Sequence, residues 1–293
     1  MRERAARARF SSLSPSLTPA RPRRALEAIA TVNRRRIADA GDDKTQTAVP
    51  AALEEYCAAQ TTAEGRLLET LRLETEARWP AACHMVSGPV QGRLLAMLVG
   101  MSRAKTALEV GTFTGYASLC MAEALAAEFG AAHQSRVVTI EKDPSAADVA
   151  EAYFERSPHG GSIELRRGDA RDVLDDLAGA GSAFDLVFLD GDKRRLAEYY
   201  DTVLDRGLLA PGGLLLVDNT LWKGRVLDAS LLAGIPREEL APDETKAERR
   251  DRVLTQAMHE LNVKIRRDPR VTQVLLPLRD GLTLVRRTPD RQA

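Results

Sequence analysis

Two apolar runs in this chain end abruptly in charge. FLDGDK closes residues 184–193 with Asp190 and Lys193, and GLLLVDN closes residues 213–219 with Asp218 and Asn219. Runs of this kind read as buried strands, so their polar ends need a chemical reason. Two carboxylates and one amide are hard oxygen donors, suited to magnesium, calcium or manganese rather than zinc. Side by side and unpaired, the two aspartates would repel. Either a cation lies between them, or Lys193 and Lys223 neutralise them in an ion-pair network. Other strand ends carry a second kind of chemistry. In EVGTFTGY (109–116), Gly111 and Gly115 permit a tight turn and a close approach of backbone to a ligand at a helix N-terminus, or serve as a simple turn. Glu141 ends RVVTIEKD, where an acid can accept hydrogen bonds from both hydroxyls of a ribose or stay solvated. Together they favour a nucleoside-containing ligand, with Asp169 and Ala170 of a further strand end at the edge of its base.

These residues need a frame that gathers strand ends. TALEVG (106–111), RVVTIEKD (136–143), SIELRRGD (162–169), FDLVFLDGDK (184–193) and GLLLVDN (213–219) alternate with helix-like segments such as YASLCMAEALAAEF, DVAEAYFER, VLDDLA and LAEYYDTVLDRGLL. Such alternation predicts an α/β, doubly wound, mostly parallel sheet covered by helices on both faces. The turn APGG delivers the fifth strand. VTQVLLPL and LTLVRR then flank Arg279-Asp280-Gly281, a hairpin signal that makes seven strands and ends the sheet antiparallel. In open sheets of this class, ligands collect beyond the carboxyl ends of the strands. Residues 51–104 read as helices leading into the sheet, with Leu67, Leu68 and Leu71 spaced for one face. One domain is expected over residues 51–290, preceded by a basic tail over residues 1–50.

Composition excludes several partners. Hydrophobic residues make up 44% of the 293, enough for a substantial core. Net charge is zero but uneven. Residues 1–36 hold ten arginines against Glu3 and Glu27, whereas the remainder has 32 basic and 40 acidic residues. An acidic body argues against nucleic acid as a partner. The Arg- and Ser-rich start reads as an organelle-targeting segment or a basic tail. No run approaches the ~20 apolar residues of a membrane span. Cys57, Cys83 and Cys120 form no CxxC pair, consistent with reduced thiols in the cytoplasm. The four scattered histidines lack zinc-ligand spacing.

Taken together, EVGTFTGY, Glu141, DGDK and DNTLWKG resemble the cation-dependent class I O-methyltransferases, which include caffeoyl-CoA and catechol O-methyltransferases. The similarity runs from about Met85 to Arg287 and includes LRDGLTLVRR. The resemblance implies the S-adenosylmethionine-dependent methyltransferase fold and S-adenosylmethionine as methyl donor. By that match Glu109, Gly111, Phe113, Gly115, Tyr116, Glu141, Asp169, Ala170 and Asp190 surround the donor, with Glu141 on its ribose. It further implies Asp190, Asp218 and Asn219 as ligands of a divalent cation, magnesium first and calcium or manganese as alternatives, and Lys193 as general base. The implied acceptor is a catechol-like small molecule. A phenol ionises only near pH 10, and a neighbouring cation favours its oxyanion. The same cation would favour the neutral amine of Lys193. Trp222 either walls the flat acceptor or packs beneath the loop. A homodimer is the implied assembly.

The match has gaps. Where many relatives read P-E-Q-G, this chain has Pro89-Val90-Gln91-Gly92, so no acid faces the donor's amino group there. Where relatives read GYS, it has Gly115-Tyr116-Ala117, followed by Ser118. The segment 230–250 occupies the place of the relatives' acceptor loops. Two other classes compete. A nicotinamide-dependent oxidoreductase is disfavoured by GTFTG in place of GxGxxG, and by the 30 residues from Gly111 to Glu141 where about 20 are usual. A non-catalytic binding protein on the same fold would leave Lys193 and the three oxygen ligands without a purpose.

Overall fold

The computed structural model describes residues 49–130, 134–228 and 244–288. The basic tail and most of the 230–250 segment lie outside the described residues. The helices that lead in are α1 (Ala51–Gln60), α2 (Arg66–Arg78) and α3 (Gly88–Ser102). Strand and helix then alternate through β1 (Thr106–Val110), α4 (Tyr116–Phe129), β2 (Arg136–Glu141), α5 (Pro144–Arg156), β3 (Ile163–Arg167) and α6 (Ala170–Gly179). The pattern continues with β4 (Phe184–Leu189), α7 (Leu196–Asp205) and β5 (Leu209–Asp218). The chain closes with α8 (Lys246–Arg267), β6 (Val271–Leu276) and β7 (Leu282–Arg287). Among the described residues, no helix is long and apolar enough to cross a membrane.

All seven strands join one sheet in the order β3-β2-β1-β4-β5-β7-β6. The pairs from β3 to β5 are parallel, and β7 pairs antiparallel with both β5 and β6. The order reverses between β1 and β4, which puts a topological switch point, and its ligand crevice, at the carboxyl ends of those two strands.

Period-two alternation divides the core. Leu108 and Val110 of β1 face the layer of α6, α7 and α8, with Leu174, Val203, Leu204, Met258 and Leu261. Ala107 faces the layer of α3 and α4, with Leu95, Val99, Met121 and Leu125. Because both faces are covered, the central strands are apolar on both sides. Glu109 breaks this pattern as a buried acid on the α4 side, next to the buried Thr139 of β2.

Two local expectations change. APGG lies inside β5 rather than before it, and the register against β4 shifts between Phe184 and Leu186. The 22-residue α8 was not anticipated. Its start is a capping box, in which the Thr245 hydroxyl accepts from the Glu248 N–H and the Glu248 carboxylate accepts from the Thr245 N–H.

Candidate active site

The turn after β1 forms the floor of a cleft. Gly111 adopts φ 102°, and a Cβ there would lie 2.7 Å from the Asp190 carbonyl oxygen. Only glycine lets the two strand tips approach so closely. Glu109, Gly111, Phe113, Tyr116 and Asp190 line this cleft, together with Met85, Val86, Ser87 and neighbouring turn residues. Gly115, Glu141, Asp169 and Ala170 lie outside its wall. Glu141 nonetheless fixes the turn. One carboxylate oxygen accepts from the Phe113 N–H at 2.7 Å, and the other from the N–H groups of Lys142 (2.9 Å) and Asp143 (2.8 Å). Asp169 caps α6 by accepting from the Arg171 N–H and is ion-paired to the Arg171 side chain, which hold its carboxyl down to about 2.

Glu109 is 1% exposed. Register explains its partners, because Thr139 is its cross-strand neighbour on β2 and Ser118 projects from α4 onto the same face. Both hydroxyls donate to Oε2 of Glu109, Thr139 at 2.6 Å. Burial still dominates and pushes Glu109 up to about 8. Ser118 thus takes up a role inside the protein, holding an acid of the cleft wall. Sequence reading left its purpose open.

The second half of the site lies one strand over. Leu189 pairs with Val217, so Asp190 and Asp218 are the next residues on adjacent parallel strands. Asp190 is ion-paired to Lys193, whose Nζ also donates to the Asp190 carbonyl at 3.0 Å. Burial raises Asp190 to about 6, with Lys193 pulling down and the charge of Asp218 pushing up. Asp218, 5% exposed, accepts from the Asn219 N–H at 2.7 Å and from the Gln91 amide at 2.8 Å. Among the described residues no three His, Cys, Asp or Glu side chains form a metal cluster. The set at these strand tips is two carboxylates and an amide, and its all-oxygen character with mutual carboxylate repulsion fits a hard divalent cation.

The backbone beyond β5 is strained. Asn219 (φ 60°), Trp222 (φ 44°) and Lys223 (φ 55°) are left-handed without being glycine. Conformations of this kind cost energy and persist where surroundings enforce them, commonly at functional sites. The enforcing surroundings are the closing hairpin. Thr220 and Leu221 donate to the carbonyls of Gly281 (3.1 Å) and Asp280 (2.9 Å). The Asp280 carboxylate accepts from the Lys223 N–H and from the Asn219 amide. Burial raises Asp280 to about 7. Gly281 makes this contact possible, since a Cβ there would stand 2.5 Å from the Leu221 nitrogen. Trp222 is partly buried and packs against the core on the α8 side of the sheet, a contact compatible with either of the two roles open to it. Trp79 stacks tilted on Phe113 of the cleft, with centroids 5.6 Å apart.

Sequence reasoning named the acids at the strand ends but missed Gln91, Thr139, Arg279 and Asp280 as parts of the site. The signal for Asp280 and Arg279 was a polar pair at a hairpin tip, which reads equally well as ordinary turn chemistry.

Comparison with known proteins agrees with this geometry. A sequence model of the O-methyltransferase family matches residues 58–288. The chain is 35% identical over 232 residues to mouse catechol O-methyltransferase domain-containing protein 1, covering 78% of each chain. It is 32% identical over 231 residues to tricin synthase 1 of Oryza sativa subsp. japonica, covering 76% of this chain and 82% of that one. Among solved structures, the SAH-bound methyltransferase PaMTH1 of Podospora anserina superposes with a TM-score of 0.67 at 26% identity, covering 81% of this chain and 94% of its own. Sequence and fold agree, and the chain belongs to the O-methyltransferase family, enzymes of the S-adenosylmethionine-dependent caffeoyl-CoA and catechol type.

Proposed function

We propose that the enzyme moves a methyl group from S-adenosylmethionine to one hydroxyl of a catechol-like vicinal diol, and that it needs a divalent cation, magnesium by preference. The observation that carries the metal reading is the pairing of Asp190 with Asp218 at adjacent, largely buried strand tips. Among the described residues only Asp190 of these two neighbouring carboxylates has an ion pair, with Lys193, and Arg279 acts from farther away, so a cation between them would relieve the repulsion that remains. Asp190, Asp218 and Asn219 would hold the cation. The names of relatives support a phenolic acceptor.

The bound donor would supply an electrophilic methyl on a sulfonium, and the cation positive charge that favours the acceptor oxyanion. The chain's own residues do the rest. The 111–116 turn, fixed through Glu141, and the acid Glu109 would receive the donor. Lys193, as the free amine, would take the hydroxyl proton as the oxygen forms its bond to the methyl carbon and the carbon–sulfur bond breaks. Positioning donor and acceptor across the β1/β4 crevice supplies much of the rate.

The test is Asp218→Ala. With chelator present the native enzyme should lose labelled-methyl transfer and regain it with magnesium, whereas Asp218→Ala should stay inactive in both. Full activity of Asp218→Ala in chelator-treated buffer would overturn the metal role.

A further inference from the structure

Arg279, at the tip of the closing hairpin, has an unusual set of partners. Its Nη1 donates to the carbonyls of Val86 (2.8 Å) and Ser87 (2.5 Å) and to the Gln91 side-chain oxygen (3.2 Å). Its Nη2 donates to the His84 carbonyl at 2.9 Å. Gln91, in the first turn of α3 and 1% exposed, passes the contact on by donating from Nε2 to Asp218 Oδ2. We propose that Gln91 is a positioning residue for the candidate metal ligand Asp218, and that Arg279 sets the direction in which the Gln91 amide points. The inference rests on the divalent-cation reading given above.

The chemistry of the donors supports the direction. A guanidinium has only N–H groups to offer, so the face of Gln91 turned to Arg279 must be its oxygen. The amide nitrogen is thereby aimed at Asp218. Without Arg279 the amide could turn over and present its oxygen to a carboxylate, which is repulsive. Among the described residues Asp218 then has one protein donor on each oxygen, Gln91 on Oδ2 and the Asn219 N–H on Oδ1. A carboxylate has about four acceptor positions, two per oxygen. One position per oxygen therefore remains for a cation, with the plane of the group fixed by the two bonds already made. Partners of this kind around a metal ligand commonly change affinity 10- to 100-fold when removed. The same guanidinium ties down residues 84–87, whose Met85, Val86 and Ser87 wall the donor cleft. One side chain thus fixes the donor wall and the orienter of Asp218 together.

The test is the affinity of the full-length protein for Mn²⁺, read as free ion by electron paramagnetic resonance, with circular dichroism and melting as controls for folding. Gln91→Met keeps the length of the side chain and removes its N–H. It should weaken Mn²⁺ binding by about tenfold or more. Arg279→Lys keeps the charge and loses the fork, and should weaken binding by a smaller factor. The double variant should bind no more weakly than Gln91→Met alone, because both changes act through one bond. Native protein and a folded Gln91→Met binding Mn²⁺ within twofold of each other would overturn the inference and leave the metal reading standing. Additive losses in the double variant would overturn the part given to Arg279. Should Gln91→Met fail to fold, Arg279→Lys carries the test, and unchanged affinity there overturns the relay. Native protein that binds no Mn²⁺ would overturn both the relay and the metal reading.

Discussion

Glu109 is an acid in the middle of a parallel sheet, and its burial has a measurable cost. Its folded pKa, about 8, lies above the ordinary 4.5, so the folded state keeps a proton that the unfolded chain releases. Stability from this group is therefore intact below about pH 4.5 and is lost as pH rises toward 8. Glu109→Gln should abolish that loss. The ligand-free variant should match the native protein near pH 4.5 and exceed it by a few kcal/mol at pH 8, read by denaturant unfolding at each pH. Lys193 gives a second prediction. Lys193→Met should lower kcat by about 10²–10⁴-fold while leaving affinity for S-adenosylhomocysteine within a few-fold. No change in rate or in its pH dependence would assign the proton to another group. Asp190 and Asp218 were legible in the sequence because a carboxylate closing an apolar run demands a partner. Gln91 was not, because its bonds reach Asp218 across 127 positions and Arg279 across 188. A buried glutamine on a helix looks the same in sequence whether it serves a site or not.

At the scale of elements, the site depends on backbone conformations that side chains cannot share. Gly111→Ala would place a methyl 2.7 Å from the Asp190 carbonyl at a positive φ. It should cost at least about 2 kcal/mol of stability and weaken binding of S-adenosylhomocysteine, both read in one thermal-shift titration. Alternation of strand-like runs with helical spacing made β1 to β5 and their helices legible, since β1, β2, β4 and β5 are largely apolar, β3 alternates, and each ends in a turn or a charge. The helix α8 escaped notice although its signals were present. TKAE is a capping box, Leu254, Met258, Leu261 and Ile265 fall at spacings of three and four, and the last turn is basic. Charges dense around that stripe obscure its apolar face, and residues 251–267 carried no assignment from sequence. Thr245→Ala should remove about 1 kcal/mol, seen as a lower melting temperature with activity per folded molecule unchanged.

At the scale of the whole molecule, strand order decides which residues can meet. The switch between β1 and β4 brings the glycine turn beside Asp190, β5 adds Asp218 next to it, and the antiparallel hairpin β6-β7 returns Arg279 and Asp280 to the same edge. Sequence pattern gave the parallel sheet and the closing hairpin. That the hairpin tip holds the 219–223 loop in place emerges only from three-dimensional contacts. If the strand tips hold the proposed cation, the cation should stabilise the molecule. Magnesium at about 100 times its Kd adds about 2.7 kcal/mol, roughly 5–10 °C in melting temperature for a chain of this size. Asp218→Ala should show no such rise. The most direct test of the central claim is transfer of labelled methyl from S-adenosylmethionine to a panel of catechols, with magnesium and with chelator. The account predicts transfer to at least one catechol that requires magnesium and stops with chelator. Transfer that proceeds equally well in chelator, or no transfer to any catechol while the donor binds, would contradict it.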